Sequence, residues 1–340
     1  MIKETTSPIR LNWIDWAKAF AITFVVFGHI PEVPDAFLVH YITFFHMPLF
    51  FFISGYLTKK EQLNKQTLKK YYTTLIIPYF CFNIMYYPYW VARHVIENPH
   101  SMWYDYLKPI IGTFMLQYDT AYFESLNGVT WYIAALLVMK IITAICNSSK
   151  IGDYILFLLA TLATFFYILN EQELFVIYLP TIGFTKCLPF FFIGYKIKDL
   201  NTNSTHLQKN YGLLSITFIG ISLILFAITR NTTNYISYGL GFWATCISAI
   251  IGVLCLCKEL DIYTSVILVN ISIGTIVIMG LHGMLIGITN FTLSKLLHID
   301  GIQYPWYISI FLSLLFVALL YPVIILFKKK YPFVLGKRQK

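Results

Sequence analysis

The sequence predicts an all-α membrane protein, a bundle of about ten transmembrane helices. Hydrophobic residues make up 58% of the 340 positions and charged residues only 12%, whereas a soluble domain carries about a quarter charged residues. Apolar stretches long enough to cross a hydrocarbon core ~30 Å thick recur along the whole chain. These observations exclude an ordinary soluble domain and leave a polytopic membrane protein.

Each element of this prediction is an apolar stretch of roughly 20 residues. The ten stretches cover residues 12–29, 37–57, 71–95, 129–147, 151–169, 174–195, 211–229, 237–257, 272–292 and 306–327. With the N-terminus in the cytoplasm, most of the 25 lysines and arginines fall on the cytoplasmic side. Because cytoplasmic loops are enriched in these residues, both termini are predicted to be cytoplasmic. The protein is expected to be a multi-pass protein of the inner (cytoplasmic) membrane.

The chain is interpreted as one transmembrane domain over residues 1–340, with a solvated basic tail at 328–340. The net charge of +9 is attributed to topogenic lysines, so no nucleic-acid partner is expected. The six cysteines all fall within predicted helices and read as packing residues. No metal site is therefore expected.

The first predicted helix carries ionisable residues that a lipid-facing surface would not tolerate. At about 100° and 1.5 Å per residue, Asp15, Lys18 and His29 share one stripe, which should face the bundle interior. Asp15 and His29 are ~21 Å apart along the helix axis, so they cannot be hydrogen-bonded. The stripe suggests one wall of a polar passage.

Several motifs resemble the integral-membrane acyltransferase family 3. The first helix shows R-x4-D-x2-K from Arg10, followed by VVFGH ending at His29. Further similar segments are FHMPLFFFISGYL at 45–57, KKYYTTLIIPY at 69–79, GVTWYIAALL at 128–137, LPFFFIGYKI at 188–197 and GLHGMLIGI at 280–288. The resemblance covers nearly the whole chain and is closest to the short, single-domain sugar O-acetylases.

The resemblance implies a membrane O-acyltransferase that moves an acyl group, expected to be acetyl, from cytoplasmic acetyl-coenzyme A to a sugar hydroxyl. The expected acceptor is a surface polysaccharide or a lipid-linked precursor, and a polysaccharide-synthesis machinery is an expected partner. A second reading is an exporter of a glycan or lipid-linked sugar, which a polar passage would also suit. A third is a structural subunit of such a machinery.

Two histidines are the catalytic candidates. By resemblance, His29 corresponds to the essential first-helix histidine of the family. A neutral imidazole can take a proton from a sugar hydroxyl, or can itself be acylated transiently. His46 lies in mid-helix, where it either assists catalysis or makes one interhelical hydrogen bond. The alternative for His29 is an interfacial residue that caps its helix.

Four lysines are the candidates for binding the phosphates of the donor: Lys18, Lys69, Lys70 and Lys186. Lys69 and Lys70 stand where members of the family usually carry arginines, at the mouth of the third predicted span. Lys186 lies inside an apolar stretch, where an ammonium needs a partner or an anionic ligand. For the loop lysines the alternative is a purely topogenic role.

Five residues are the candidates for binding the acceptor sugar: Asp119, Glu124, Asn127, Trp131 and His282. The first four surround the start of the fourth predicted span, where carboxylates, an amide and an aromatic face could hold a sugar. The alternative there is a solvated loop followed by an interfacial tryptophan. His282 is flanked by glycines that permit close backbone approach.

Overall fold

The computed structural model describes residues 10–34, 36–116, 126–170, 181–200, 210–299 and 301–337. Within these ranges the protein is helical, with one isolated β-bridge between Glu32 and Tyr304. The α-helices are α1 (Asn12–His29), α2 (Phe37–Leu57), α3 (Lys65–Tyr71), α4 (Ile77–Glu97), α5 (Lys108–Phe114), α6 (Trp131–Cys146), α7 (Gly152–Asn170), α8 (Thr181–Leu200), α9 (Tyr211–Thr229), α10 (Tyr235–Glu259), α11 (Val266–Ile273), α12 (Thr275–Leu297) and α13 (Trp306–Lys330).

Six segments of the described chain are long and apolar enough to cross a membrane. They are Phe37–Leu57, Gly128–Cys146, Tyr211–Thr229, Ile236–Ile262, Thr275–Leu297 and Trp306–Lys330. The helices α1, α4, α7 and α8 occupy the other four predicted stretches. The protein is therefore a multi-pass, all-helical membrane protein, and the count of ten spans and the cytoplasmic termini stay predictions.

The helix α1 lies at the centre of the bundle. It packs against α2, α10, α11, α12 and α13, and its side chains Ala17, Ala21 and Ile22 are completely buried. Small residues bring other helices equally close: a Cβ atom added at Gly55 of α2 would lie 1.9 Å from the carbonyl oxygen of Phe191 in α8. Close backbone approach of this kind is typical of packing between membrane helices.

Two predicted spans are interrupted in the structure. The stretch 272–292 begins with the last two residues of α11 and, after a break at Gly274, continues in α12. A Cβ atom added at Gly274 would lie 2.5 Å from Ile324. The stretch 71–95 begins with a π-helical turn, Tyr72–Ile76, just before Pro78. Proline lacks an amide hydrogen and clashes with the preceding turn of an α-helix, so the wider turn accommodates it. Neither break changes the apolar character that predicted the spans.

The described part of the tail keeps its lysines Lys328, Lys329, Lys330 and Lys337 exposed, while the short segment between them folds back onto the bundle. After α13 the chain forms a 3₁₀ turn, Pro332–Leu335, which packs against the π-helical turn and α4. Val334 is buried, and Gly336 adopts a φ of +67° beside the carbonyl group of Thr74. Burial of this apolar turn explains why the tail folds back. Residues 338–340 lie outside the described residues.

Candidate active site

The start of α1 is fixed by the short turn that follows α10. The backbone amide of Trp13 donates a 2.7 Å hydrogen bond to Oδ1 of Asp261, and the side chain of Asn12 donates to the Asp261 carbonyl group. An acidic side chain at this position satisfies a free amide of the first helical turn and complements the helix dipole. The indole of Trp16 donates to the carbonyl oxygen of Tyr263.

Asp15 is buried, and its carboxylate accepts three hydrogen bonds. Arg10 donates two hydrogen bonds to its carboxylate, at 2.6 and 2.8 Å, and the hydroxyl of Ser272 donates a third at 2.5 Å. Ser272 lies in α11, immediately before the Gly274 break. Asp15 therefore joins the start of α1 to α11, and its charge is paired with that of Arg10.

Three lysines from three elements form the basic cluster: Lys18 of α1, Lys70 of α3 and Lys140 of α6. The ammonium of Lys140 lies within electrostatic range of Lys18, Lys70 and Glu61. Lys70 forms an ion pair with Glu61. Within the described residues, the half-buried ammonium groups of Lys18 and Lys140 make no hydrogen bond or ion pair. The basic cluster therefore holds more positive charge than Glu61 can neutralise.

A polar cavity of about 510 Å³ opens beside the basic cluster. Its lining includes Lys70 and Glu61, together with Thr67, Thr73 and Gly336. Lys69 is exposed and does not line this cavity. The sequence analysis gave Lys69 and Lys70 the same role, whereas only Lys70 faces the cavity in the structure. The cavity is bounded by hydroxyl, amide and charged groups, which suits a hydrophilic ligand.

At the other end of α1, three histidines meet in the histidine cluster: His29, His46 of α2 and His282 of α12. The rings of His29 and His282 pack edge to face with centroids 4.9 Å apart. His46 lies within electrostatic range of both. The sequence analysis named His29 and His46 as catalytic candidates and His282 as a candidate for binding the acceptor sugar. The structure brings all three to one place.

The three imidazoles share one hydrogen-bonding arrangement. In each, Nδ1 lies 2.8–3.1 Å from the carbonyl oxygen four residues earlier, which is that of Val25, Ile42 or Ile278. A carbonyl oxygen can only accept, so Nδ1 carries the hydrogen and the neutral ring keeps its lone pair on Nε2. This arrangement sets the tautomer that a general base requires.

Accessibility separates the three rings. His46 is 7% exposed and His282 is 0% exposed, and Nε2 of His282 finds no hydrogen-bond partner among the described residues. His29 is exposed in a recess of about 20 Å³, which Trp131 and Tyr132 also line. That volume fits about one water molecule. His29 is therefore the member of the cluster that a reactant can reach.

Lys186 lies apart from the basic cluster. Its ammonium is 4.8 Å from the ring centroid of Phe242 and 6.0 Å from that of Tyr167, and it lies within electrostatic range of His46. Cation–π contact with such rings offsets part of the cost of a charge inside a membrane helix. Its predicted role in donor binding stays untested, and its position favours the histidine end.

Three of the five predicted acceptor residues, Asn127, Trp131 and His282, lie in the described part of the chain. Trp131 lines the recess around His29. Asn127 is buried and donates a 2.9 Å hydrogen bond to the carbonyl oxygen of Gly280, which joins the start of α6 to α12. Asp119 and Glu124 lie outside the described residues. A contact with a sugar remains a prediction for all of them.

Apolar side chains occupy the stripe of α1 between its two polar ends. Ile22 and Val25 lie between Lys18 and His29 on the same face, and they are 0% and 4% exposed. The first helix was expected to form a wall of a polar passage. The described structure instead has polar groups at both ends of α1 and a packed apolar interval between them.

The comparison with family models decides the identity of the fold. The model of the acyltransferase domain of this class matches residues 11–330, essentially the whole chain. The chain belongs to membrane acyltransferase family 3. No curated protein and no solved structure matches the chain.

Several residues of this acyltransferase site were missed by the sequence analysis. Lys140 was counted as a topogenic lysine, and Ser272 and Tyr132 carried no signal in an apolar helix. Arg10 belonged to the recognised motif, although its pairing with Asp15 was not anticipated. The spacing of five residues across the start of a helix gives no fixed geometry, so that pairing could not be predicted.

Proposed function

We propose that this acyltransferase moves an acetyl group from cytoplasmic acetyl-coenzyme A to a sugar hydroxyl of a surface polysaccharide or of its lipid-linked precursor. The observation that carries the proposal is the exposed ring of His29, whose tautomer is set by the carbonyl group of Val25. An imidazole held in this way can act at neutral pH as a base or as a nucleophile. The family assignment favours transfer over export.

The donor is proposed to bind at the Asn12 end of the bundle. Coenzyme A carries several phosphate charges and is a cytoplasmic compound, so its site should be basic and should face the cytoplasm. The basic cluster and the polar cavity beside it meet the first requirement. The distribution of lysines in the sequence supports a cytoplasmic position for this end.

Two routes for acyl transfer are compatible with His29. In the first, Nε2 takes the proton of the sugar hydroxyl while its oxygen attacks the thioester carbonyl carbon; the C–S bond breaks, and the proton passes to the leaving thiolate. In the second, Nε2 attacks the thioester carbonyl carbon and the C–S bond breaks, which releases the thiolate; the sugar oxygen then attacks the acyl-imidazole, the C–N bond breaks, and the freed Nε2 takes the hydroxyl proton, which passes to the thiolate. Both routes require the interval at Ile22 and Val25 to open, since these residues separate the donor end from His29.

The acceptor is proposed to approach at the His29 end. A groove of about 700 Å³ runs between α4 and α12 and begins at Pro31, two residues beyond His29. Its walls are mostly apolar, with Ile96, Ile288 and Phe291 among them. This character suits the hydrocarbon part of a lipid-linked sugar, which would bring the sugar hydroxyls to the membrane surface beside His29.

The test is acetyl transfer in membranes. Membranes that contain the protein are supplied with acetyl-coenzyme A labelled in the acetyl group, and the label in base-labile ester of the glycan fraction is measured. We expect label that depends on the protein, together with a higher O-acetyl content of surface glycans in cells that produce it. Equal labelling of membranes without the protein would contradict the proposal.

A further inference from the structure

Lys140 of α6 lies unusually deep for a residue that serves only to orient the chain. It is six residues from the end of α6 at Cys146, which places it ~9 Å inside the helix end. Lys18 lies six residues from the start of α1 at Asn12, at the same depth. Within the described structure, neither ammonium makes a hydrogen bond or an ion pair. Cations that are even partly withdrawn from water and lack partners are costly in a membrane protein.

The surrounding contacts hold Lys140 and its neighbours in place. The amide of Leu63 donates to the carbonyl oxygen of Ala144, and the side chain of Asn147 donates to the carbonyl oxygen of Glu61. These bonds attach the loop before α3 to the end of α6. The basic cluster is therefore built from segments that are hydrogen-bonded to one another. The same loop places the carboxylate of Glu61 next to the lysines of the cluster.

The charges of the cluster do not balance. Lys18, Lys70 and Lys140 carry three positive charges, while Glu61 is the carboxylate within range of Lys140. Asp15, which lies near Lys18, is already occupied by Arg10 and Ser272. Two cations therefore lack a matching anion among the described groups. A doubly charged oxyanion that entered through the adjacent polar cavity would match this excess.

We infer that Lys140 is a donor-binding residue, and that with Lys18 and Lys70 it binds the diphosphate of the acyl-coenzyme A. The inference rests on the proposed function and adds a residue of α6 to the donor site. Phosphate oxygens of an anionic lipid headgroup share this chemistry. The lining of hydroxyl and amide side chains, from Asn64, Thr67 and Thr73, favours a soluble ligand over a lipid with its chains.

The test measures binding and transfer separately in the full-length protein. Coenzyme A binding to purified protein in detergent and the KM for acetyl-coenzyme A in membranes are compared between wild type and Lys140→Gln. Loss of one charged phosphate contact should raise both Kd and KM by about tenfold or more, with kcat retained. Lys140→Arg should restore much of the affinity. Lys150→Gln is the matched control, since Lys150 is an exposed lysine in the turn after α6.

A second measurement uses the wild-type protein and so does not depend on the folding of a variant. The Lys140 amine is modified with an acylating reagent, either in the presence of inorganic pyrophosphate or in the presence of vesicles of anionic lipid. Mass spectrometry then measures the extent of modification. Protection by pyrophosphate and not by the lipid supports the inference.

Two results would overturn the inference. One is a Kd for coenzyme A that is unchanged in Lys140→Gln; the other is protection by the lipid alone. Absence of acetyl transfer by the wild-type protein, with coenzyme A still bound through Lys140, would instead reject the proposed function and leave the inference standing.

Discussion

The two ends of α1 use different chemistry. At the His29 end, three imidazole rings meet, and Nδ1 of each is hydrogen-bonded to a carbonyl oxygen of its own helix. At the Asn12 end, formal charges dominate: Asp15 is neutralised by Arg10, and Lys18, Lys70 and Glu61 lie around Lys140. Between them lies a packed apolar interval at Ile22 and Val25.

This difference separates proton transfer from anion binding. A ring whose tautomer is fixed by one hydrogen bond is suited to accept a proton, and its function should be insensitive to salt. A cluster of lysines beside an open polar cavity is suited to hold phosphates, and charge contacts that solvent can reach are screened by salt. The two ends should therefore respond differently to substitution, and the following experiments use that contrast.

The largest effect is expected from His29→Gln. Glutamine keeps a hydrogen-bonding side chain but cannot take a proton or carry an acyl group, so kcat should fall ~10²–10⁴-fold. The KM for acetyl-coenzyme A should not change. His46→Gln is the comparison: His46 is buried and bonded to Ile42, and loss of one such hydrogen bond should lower kcat about tenfold or less. Labelled transfer at matched protein levels checks both, and equal losses in the two variants would contradict the assignment.

The next effect concerns stability. Asp15→Asn places an amide against Arg10 and Ser272, which should lower the free energy of unfolding by about 1–3 kcal/mol and leave kcat of the folded protein nearly unchanged. Thermal unfolding in detergent and kcat per folded molecule measure the two quantities. Asp153→Asn is the control, because the partly exposed Asp153–Lys196 pair should contribute less than ~1 kcal/mol. A large loss of kcat without loss of stability would show that Asp15 joins the chemistry.

A smaller effect is expected at the cavity wall. Lys70→Ala should raise the KM for acetyl-coenzyme A up to about fivefold, since a partly exposed charge pair contributes ~0.2–1 kcal/mol. The KM of the wild-type protein should rise with salt concentration, so the difference in KM between the wild type and Lys70→Ala should become smaller. Lys69→Ala, outside the cavity lining, should change the KM less. The prediction fails if the Lys69 variant shows the larger effect.

The smallest effect has the opposite sign. Glu61 pairs with Lys70 and lies close to Lys140, so its carboxylate competes with an incoming phosphate. Glu61→Gln should lower the KM for acetyl-coenzyme A about twofold, because it removes a competing charge. Steady-state kinetics at low salt is the measurement. A raised KM would mean that Glu61 positions Lys70 more than it opposes the donor.

The sequence predicted the features that local periodicity controls. The apolar stretches located the long helices, six of which in the described chain are long and apolar enough to cross a membrane. The spacing of Lys18 and His29 placed both on one face of α1. The motif around His29 predicted the family, which the match over residues 11–330 confirms. Such features depend on residues within one helix, so a single sequence carries them.

Contacts between distant segments could not be predicted. His29 and His282 are far apart in the chain, and nothing in the apolar pattern of α12 requires their rings to meet. Lys140 was interpreted as a topogenic lysine, because a single sequence does not show how deep a residue lies in the bundle or which side chains surround it. The break at Gly274 lies in a continuously apolar run, where hydropathy does not change. These features depend on which helices pack together.

The central claim is that donor and transfer site lie at opposite ends of α1, with the donor on the cytoplasmic side. Inside-out and right-side-out membrane vesicles from cells that produce the protein test it most directly. Acetyl-coenzyme A labelled in the acetyl group is added outside each kind of vesicle, and ester label in the glycan fraction is measured. We predict labelling in the inside-out vesicles, resistant to added esterase until detergent is present, and none in sealed right-side-out vesicles. Equal labelling of both kinds would contradict the account.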